Sequence, residues 1–354
     1  MDATSGRTLQ QYRADQNRYP ASLTKLMTIY IMLEEIDAGR LKPDTQIYVS
    51  RNASIQPASK IGLRRGQRIP ARVAMQALIV KSANDVATAV AEHISGSETK
   101  FAKRMSRTAR AIGLYDSHFT NASGLYHWRQ QTTARDMAKL AHRLLQKFPQ
   151  FETMWQTTSF VFNGTTYQTH NRILRRMDGA LGMKTGYIRA SGYNIATAVQ
   201  RDGKRIIVVV IGGRSATVRD RHVMSLAERS LHRAKRFSRA QPKQVAWQQA
   251  AHWLGKPIEQ LQNPNAGKSF ADMSKDWKIQ VGAFSASTHA RSQLQRVRRL
   301  MGRDLLGAEM LTEPTEKDGR PIYRARFANL SEPQAFALCH RLRDVTPSCL
   351  PIAP

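Results

Sequence analysis

Residues 183–212 read MKTGYIRASGYNIATAVQRDGKRIIVVVIG, and this stretch decides the fold. It contains three consecutive segments typical of β-strands, which are Met183–Ile188, Tyr193–Gln200 and Arg205–Gly212. The dipeptide Asp202-Gly203, between the last two segments, supplies the residues that a tight hairpin turn requires. The stretch therefore predicts an antiparallel meander of three strands.

Helical periodicity lies on both sides of this meander. Apolar residues recur at helical spacing between Leu26 and Ile36, after Pro20, and Gly39 is placed to end that helix. Three further helices are predicted, over Ala74–Ile94, Thr133–Leu145 and Val218–Ala234. Helices that precede and follow a meander indicate an α+β domain over residues 1–234, with helices packed on an antiparallel sheet.

Beyond this domain the composition changes. Residues 235–273 are rich in Gln, Lys, Asn and Ala and are interrupted by prolines, which predicts a linker with a short helix around Val245–Leu254. Residues 274–354 then show a β-α-β-β-α-β pattern typical of a small separate domain. Its predicted elements are a strand at Trp277–Phe284, a helix at Ser287–Met301, strands near Leu305–Leu311 and Ile322–Phe327, a helix near Glu332–Arg343 and a last strand at the end.

Composition limits the classes of partner and cofactor. The 354 residues include 55 Lys and Arg against 26 Asp and Glu, a formal net charge of +29, which favours polyanionic partners. The excess is spread along the chain without an RNA-recognition, zinc-finger or basic-zipper signature, so nucleic acid is not the predicted partner. No apolar run approaches the roughly 20 residues of a membrane helix, and no metal or nucleotide motif occurs, so neither a transmembrane helix nor a cofactor is predicted.

The candidate nucleophile is Ser22. In Ser22-Leu23-Thr24-Lys25, a hydroxyl and an amine lie three residues apart at a helix N-terminus, where i and i+3 side chains share one face. A lysine whose pKa is lowered by burial or by neighbouring cations can accept the serine proton. The same pattern occurs at Ser97-Glu98-Thr99-Lys100, so this signal alone fits a surface helix start better.

Two further motifs strengthen the interpretation. Ser82-Ala83-Asn84 begins or interrupts a helical stretch and offers a second hydroxyl and an amide, although Ser50-Arg51-Asn52 matches it too. Lys184-Thr185-Gly186 occurs once, on the first strand of the meander, where its cation and hydroxyl can hold a carboxylate and its glycine leaves room for substrate backbone. The three motifs in this order are a specific signal for an active-site serine.

The chain resembles the penicillin-binding, low-molecular-weight D-alanyl-D-alanine carboxypeptidases of serine peptidase family S11. Five blocks within about residues 1–225 carry the resemblance: Tyr19-Pro20-Ala21-Ser22-Leu23-Thr24-Lys25, Lys81-Ser82-Ala83-Asn84-Asp85, Asn121-Ala122-Ser123-Gly124-Leu125, Ala134-Arg135-Asp136-Met137 and Gly182-Met183-Lys184-Thr185-Gly186. The alternative serines, Ser97 and Ser50, fall outside these blocks. The resemblance implies a penicillin-binding, β-lactamase-like fold for the first domain.

The resemblance also implies catalytic roles. Ser22 would be acylated by the penultimate D-alanine carbonyl, with Lys25 as its base and Ser82 as a proton relay. The backbone N–H groups of Ser22 and Tyr187 would form the oxyanion hole. Tyr187 departs from the His that family members often have, but a main-chain donor does not depend on the side chain.

Substrate binding is implied for a second set of residues. Asn84 would bind a substrate amide, and Lys184 with Thr185 would hold the terminal carboxylate beside Gly186. Arg172 matches a family arginine associated with carboxylate recognition, and it fits a surface arginine equally well. Two further matching residues, Asp85 and Asp136, are predicted to be structural.

The implied activity is that of a D,D-carboxypeptidase, which removes the terminal D-alanine from peptidoglycan stem pentapeptides through an acyl-serine, without metal or organic cofactor. β-Lactam antibiotics would be covalent inhibitors. A D,D-endopeptidase that cuts crosslinks and a catalytically weak envelope-binding scaffold are the alternatives, and no convincing carboxylate supports a β-lactamase. The family's mature domain follows a signal peptide and opens with a strand before a turn, here Asp2-Ala3-Thr4-Ser5-Gly6, so we expect a periplasmic protein whose signal peptide and first strand are missing from this chain.

The last domain resembles the SPOR family over about residues 274–352. Trp277–Phe284 matches its opening strand and Tyr323–Phe327 a later one. This resemblance implies binding to peptidoglycan glycan strands that lack stem peptides, against the alternative of a small domain without binding function.

The two cysteines, Cys339 and Cys349, are predicted to form a disulfide. A loop containing Pro347 can return the chain to bring them within bridging distance, and an oxidising envelope permits the bond. Two buried free thiols are the alternative.

Overall fold

The computed structural model describes residues 1–236, 244–255, 277–305, 307–317, 320–330, 332–342, 346 and 349–352. The chain forms two compact units, Met1–Pro264 and Asn265–Pro354. The helices of the first unit are α1 (Lys25–Asp37), α2 (Arg51–Ser54), α3 (Ala71–Gln76), α4 (Asn84–Ser95), α5 (Glu98–Ala111), α6 (Ala134–Lys147), α7 (Ile173–Arg176), α8 (Ala216–Leu231) and α9 (Gln244–Leu254). Its strands are β1 (Gln46–Tyr48), β2 (Arg68–Pro70), β3 (Ser159–Phe162), β4 (Thr165–Gln168), β5 (Ala180–Ile188), β6 (Gly192–Arg201) and β7 (Lys204–Gly213).

The predicted meander is the central sheet of the first unit. Strands β5, β6 and β7 are antiparallel neighbours in that order, so β5 is an edge strand. Asp202 and Gly203, between β6 and β7, have φ angles of 52° and 69°, as a type I′ hairpin turn requires. At the other edge, Asp2 pairs with Ile206 of β7. The three predicted strands and their hairpin are confirmed.

The sheet separates two apolar cores. Ala196 and Ile207 belong to the large core around α1, whereas Ile195 and Ile206 pack in a second core with α8. Successive strand residues point to opposite faces, which explains how neighbouring residues enter different cores. The first unit therefore has the predicted α+β architecture.

Helix α1 lies in the middle of the large core. All of its residues except Glu34 and Asp37 are buried. A 3₁₀ turn, Ala21–Thr24, leads into it and places Ser22 at its N-terminal end. The helix ends just before Gly39, which has a φ of 72°, as the sequence predicts. The helices predicted near residues 133–145 and 218–234 are also present, as α6 and α8.

The single helix predicted over Ala74–Ile94 is wrong. Helix α3 passes into a π-helical segment at Ala77–Lys81, and the chain then turns at Ser82, whose φ is 60°, before α4 begins at Asn84. Apolar periodicity hides this break because the residues on both sides of it are buried. The reading in which Ser82-Ala83-Asn84 interrupts a helical stretch is therefore correct.

The short helix predicted within the linker, around Val245–Leu254, is present as α9 and belongs to the first unit. Helix α9 buries Trp247, Ala250 and Trp253 in the large core. For this reason the first unit extends to Pro264, not to the predicted boundary at residue 234. The rest of the predicted linker beyond residue 236, which is residues 237–243 and 256–273, lies outside the described residues.

The second unit has the predicted β-α-β-β-α-β order. Its elements are β8 (Trp277–Phe284), α10 (Ser287–Met301), β9 (Glu309–Lys317), β10 (Arg320–Leu330), α11 (Glu332–Arg341) and β11 (Leu350–Ile352). The strands form an antiparallel sheet in the order β11-β8-β10-β9. The strand predicted near Leu305–Leu311 is displaced, because a 3₁₀ turn occupies Gly302–Leu305 and the edge strand β9 tolerates Pro314.

Cys339 of α11 and Cys349, next to β11, form the predicted disulfide, with their Cα atoms 5.2 Å apart. Among the described residues of both units, none of the helices has the length and apolar character needed to cross a membrane.

Candidate active site

Ser22 and Lys25 face each other at the N-terminal end of α1. The Lys25 Nζ lies 3.2 Å from the Ser22 Oγ, 2.7 Å from the Asn84 Oδ1 and 2.6 Å from the Ser123 carbonyl oxygen. A charged ammonium can donate to all three oxygens, whereas a neutral amine can donate to two and accept the Ser22 hydroxyl proton. The arrangement therefore permits proton exchange between Ser22 and Lys25.

Burial makes Lys25 a stronger candidate for a base. Its side chain is fully buried. This burial, together with the cation of Lys184, lowers the pKa of Lys25 well below its usual value, against a smaller opposing effect of Asp85 and Glu98. A neutral amine within hydrogen-bonding distance of a serine hydroxyl has the chemistry of a general base.

The break between α3 and α4 brings Asn84 of the second motif into contact with Lys25. Asn84, the first residue of α4, accepts from Lys25 and donates from its Nδ2 to the Pro57 carbonyl over 3.0 Å. The Ser82 hydroxyl is buried and has no hydrogen-bond partner among the described residues. A buried hydroxyl without a partner is costly, so a bound substrate or water that completes its hydrogen bonding is favoured.

Two glycines let separate segments approach Ser22. A Cβ on Gly186 of β5 would lie 3.0 Å from the Ser22 backbone nitrogen. Gly124 has a φ of 88°, and a Cβ there would lie 1.9 Å from the Ala21 carbonyl oxygen. A side chain at either position would displace the turn that carries Ser22. Lys184-Thr185-Gly186 therefore lies directly beside the candidate nucleophile.

Lys184 is a second buried lysine. Its Nζ donates to the Thr185 carbonyl over 2.8 Å. Burial and the neighbouring Arg219 guanidinium lower the pKa of Lys184 to about 7. Near neutral pH it is therefore divided between cation and amine, and an anion bound beside it would favour the cation.

Arg219 is a residue of this site that sequence reasoning missed. It is buried on α8, pairs with Asp220 and donates to the Asn194 carbonyl over 3.2 Å. No motif surrounds it in the sequence, and only the packing of α8 on the sheet brings it near Lys184.

Asn194 of β6 is a second missed residue. Its amide donates to the carbonyls of Tyr19 and Pro20, each over 3.2 Å, and its Oδ1 accepts from Gly212. It therefore ties the turn before Ser22 to the central sheet. The sequence signal that could have found Asn194 is a polar asparagine within an otherwise mostly apolar predicted strand.

The remaining predicted residues differ in their relation to this cluster. Thr185 is buried on β5 between Lys184 and Gly186. Tyr187 is exposed, and its ring centroid lies 4.4 Å from that of Tyr193. Arg172 is exposed, and within the described residues no contact links its side chain to Ser22 or Lys184. The predicted role of Arg172 therefore has no support from these contacts and stays a prediction.

Both alternative serine motifs are helix caps. The Ser97 Oγ accepts from the Lys100 backbone nitrogen at the start of α5, and the Ser50 Oγ accepts from Ala53 at the start of α2. The Ser22 Oγ forms no such cap and accepts from the Lys25 side chain. The choice of Ser22 and Ser82 over Ser97 and Ser50 thus has a structural basis.

The two aspartates of the matching blocks support backbone. Asp85 accepts from the N–H groups of Gly62 and Leu63, each over 3.0 Å, and Asp136 accepts from Asp116 and Ser117. These contacts agree with the structural role predicted for both.

The helices packed on an antiparallel sheet form the mixed helix-and-sheet fold of the penicillin-binding proteins, and a serine and a buried lysine lie at the start of its core helix beside the edge strand. The family model for D-alanyl-D-alanine carboxypeptidase matches residues 1–215, and the chain belongs to this family of serine hydrolases.

Three known proteins illustrate the similarity. D-alanyl-D-alanine carboxypeptidase DacD of Escherichia coli K12 is 34% identical over 233 residues, which are 64% of this chain and 60% of the relative. The crystal structure of the carboxypeptidase DacD from Francisella tularensis has a TM-score of 0.63 and 32% identity, covering 64% of this chain and 68% of that one. Penicillin-Binding Protein D2 from Listeria monocytogenes, in its ampicillin-bound form, has a TM-score of 0.60 and 26% identity over 65% of this chain and 94% of that one. The chain thus spans about 60% of the length of the curated relative.

Proposed function

We propose that the chain is a serine-type D-alanyl-D-alanine carboxypeptidase, which removes the terminal D-alanine from peptidoglycan stem pentapeptides. The observation that carries this proposal is the buried Lys25 Nζ, 3.2 Å from the Ser22 Oγ, with a lowered pKa. Family membership supplies the substrate class.

The reaction has two steps. The Ser22 Oγ attacks the carbonyl of the penultimate D-alanine while its proton moves to the Lys25 Nζ. The peptide C–N bond breaks, the leaving D-alanine amine takes up a proton through Ser82, and an ester on Ser22 remains. A water molecule then hydrolyses that ester, which releases the shortened stem peptide and restores the Ser22 hydroxyl.

The substrate is held by groups around the nucleophile. Lys184 and Thr185 hold the terminal carboxylate, and Gly186 leaves space for the substrate backbone. Asn84 binds a substrate amide, since the described contacts use only one of its two amide hydrogens. The backbone N–H groups of Ser22 and Tyr187 stabilise the oxyanion, a type of contact that is typically worth 10²–10³ in rate, or about 3 kcal/mol. The role of Arg172 in carboxylate recognition stays a prediction.

The same site would accept β-lactams, which acylate Ser22 as covalent inhibitors. The ampicillin-bound Listeria structure supports this for a protein of the same fold. The proposed chemistry needs no metal or organic cofactor. The enzyme would work in the periplasm, where the second unit, as a SPOR domain, would bind glycan strands.

Product analysis tests the activity. The full chain should release one D-alanine from a muropeptide pentapeptide, and Ser22→Ala should abolish that release. If a crosslinked dimer is cut while the pentapeptide stays intact, the protein is an endopeptidase instead. If both substrates stay unchanged, the protein is a scaffold without this peptidase activity.

Labelling tests the nucleophile. A labelled penicillin should attach to the parent protein and to Ser97→Ala, which removes only a helix cap, but not to Ser22→Ala. Lys25→Ala should slow acylation by about 10² or more, on the scale of lost base catalysis. Label retained in Ser22→Ala would show that another residue is the nucleophile.

A further inference from the structure

A basic groove of about 910 Å³ lies beside α5, and none of the candidate active-site residues lines it. Its cations come from two segments: α5 contributes Lys100, Lys103, Arg104 and Arg107, and the loop between α5 and α6 contributes Arg129. None of the described residues that line the groove is acidic. The groove is therefore a concentrated positive site.

Most of these cations are not neutralised within the protein. Lys100, Lys103 and Arg107 are exposed, and they form no ion pair within the described ranges. Arg129 lies over the Trp128 ring, 5.6 Å from its centroid, and among the described residues it pairs with no carboxylate either. Arg104 differs, since its guanidinium lies 2.5 Å from Glu35. Like charges held together without counter-charges favour a polyanion from outside.

The cations of α5 form a regular row. Lys100, Lys103 and Arg107 are three and four residues apart and thus share one helix face. At a rise of 1.5 Å per residue, they are spaced about 4.5 and 6 Å along the axis. A row of this kind matches a polymer that carries one charge in every repeat of its backbone better than one with carboxylates on scattered branches.

We propose that this groove binds a phosphodiester polymer of the polyol type, whose backbone carries a negative charge in each repeat and no bases. Phosphodiesters stay ionised at any physiological pH, so the row of cations always meets a charged partner. The binding is independent of the proposed peptidase activity.

The form of the groove selects this polymer over two other anionic partners. A single-stranded nucleic acid needs exposed rings on which its bases stack. Phe119 is the only Phe, Tyr or Trp among the described lining residues and it is buried, and Arg129 lies over the ring of the exposed Trp128 beside the groove. A membrane presents a flat plane of headgroups, whereas the cations here line a concave groove.

The test measures binding of a labelled poly(glycerol phosphate) chain to the full-length protein by fluorescence anisotropy across a salt series. The double variant Lys103→Glu/Arg107→Glu should bind about tenfold more weakly or worse, and the log–log salt slope should shrink by about 0.7 for each lost contact. Lys42→Glu/Arg221→Glu is the matched control, because it reverses two exposed charges outside the groove. It should bind within about twofold of the parent.

Labelling by penicillin checks that each variant is folded, and it should be equal in all three proteins. Equal loss of binding in the groove variant and the control would overturn the proposal, because net charge alone would then explain the affinity. Binding of an oligonucleotide or of phosphatidylglycerol vesicles that is tighter than binding of poly(glycerol phosphate) would overturn the choice of partner.

Discussion

Lys184 is expected to change its charge within the physiological pH range. Its pKa is lowered from 10.5 to about 7 by burial and by Arg219, so it is a cation below that pH and increasingly a neutral amine above it. Only the cation can pair with the substrate carboxylate, and a bound carboxylate in turn raises the pKa of Lys184. We therefore expect kcat/KM for a D-alanyl-D-alanine peptide to fall as the pH rises above about 7, and kcat to fall only at higher pH.

Lys184→Arg is the matched variant, because a guanidinium keeps its charge throughout this range. The fall of kcat/KM near neutral pH should disappear in it, while penicillin labelling of Ser22 persists. A descending limb that stays in place in Lys184→Arg would mean that a different group titrates.

Site residues could be predicted where the chemistry needs particular residue types a few positions apart in the sequence. Ser22 and Lys25 are three residues apart, and the structure places them 3.2 Å apart. The left-handed conformation of Ser82 could not be predicted, because a helical pattern of buried residues continues across it. Arg219 could not be predicted from the sequence either, because only the packing of α8 on the sheet brings it near Lys184.

At the scale of elements, the site depends on close approach between the Ser22 turn and the loop that contains Gly124. Gly124→Ala would place a Cβ 1.9 Å from the Ala21 carbonyl oxygen, so the turn must move. A displacement of about 1 Å at a reacting group can cost 10²-fold in rate, and we expect a loss of acylation on that order.

Gly113→Ala is the control for this prediction. Gly113 has a φ of 87°, nearly that of Gly124, but nothing lies within 4 Å of a Cβ there. It should lose about 1 kcal/mol of stability from the left-handed backbone and keep its acylation rate. The rate constant for penicillin acylation and the midpoint of thermal unfolding, measured on both variants, separate the two effects; equal acylation rates would contradict the clash.

The helices and strands were predictable where the apolar periodicity agrees with the residues that mark turns and helix ends. The meander and α1 have regular apolar spacing, and Asp202-Gly203 and Gly39 mark where they turn or end. The packing of α9 was not predictable, because a segment rich in Gln and bounded by prolines has the composition of a linker. Its two buried tryptophans, Trp247 and Trp253, were the signal that composition obscured.

At the scale of the whole molecule, α9 decides where the first unit ends. Trp247 is only 2% exposed and lies in the large core, so Trp247→Ala should lower the free energy of unfolding by about 3 kcal/mol or more. Trp128 is 65% exposed, and Trp128→Ala should change it by no more than about 0.5 kcal/mol. Denaturant unfolding of the two variants provides the comparison, and similar losses would contradict a core role for α9.

The second unit should localise the enzyme without taking part in its chemistry. None of the three proposed catalytic motifs lies beyond residue 186, and the first unit extends to Pro264. Deletion of residues 274–354 keeps α9 and should leave hydrolysis of a short soluble pentapeptide nearly unchanged. The same deletion should weaken retention on sacculi, because it removes the unit that is proposed to bind glycan strands. A polymer-bound enzyme would meet a higher local concentration of stem peptides without any new contact at Ser22.

The basic surface of the first unit complicates this measurement, since it can bind an anionic wall by charge alone. High salt screens exposed charges over a few ångströms, so sedimentation with sacculi should be compared at high as well as low ionic strength. At high salt the full chain should still sediment, and the deleted chain should not. Equal sedimentation of the two proteins there would refute localisation by the second unit, and loss of soluble-peptide hydrolysis on deletion would show that this unit contributes to catalysis.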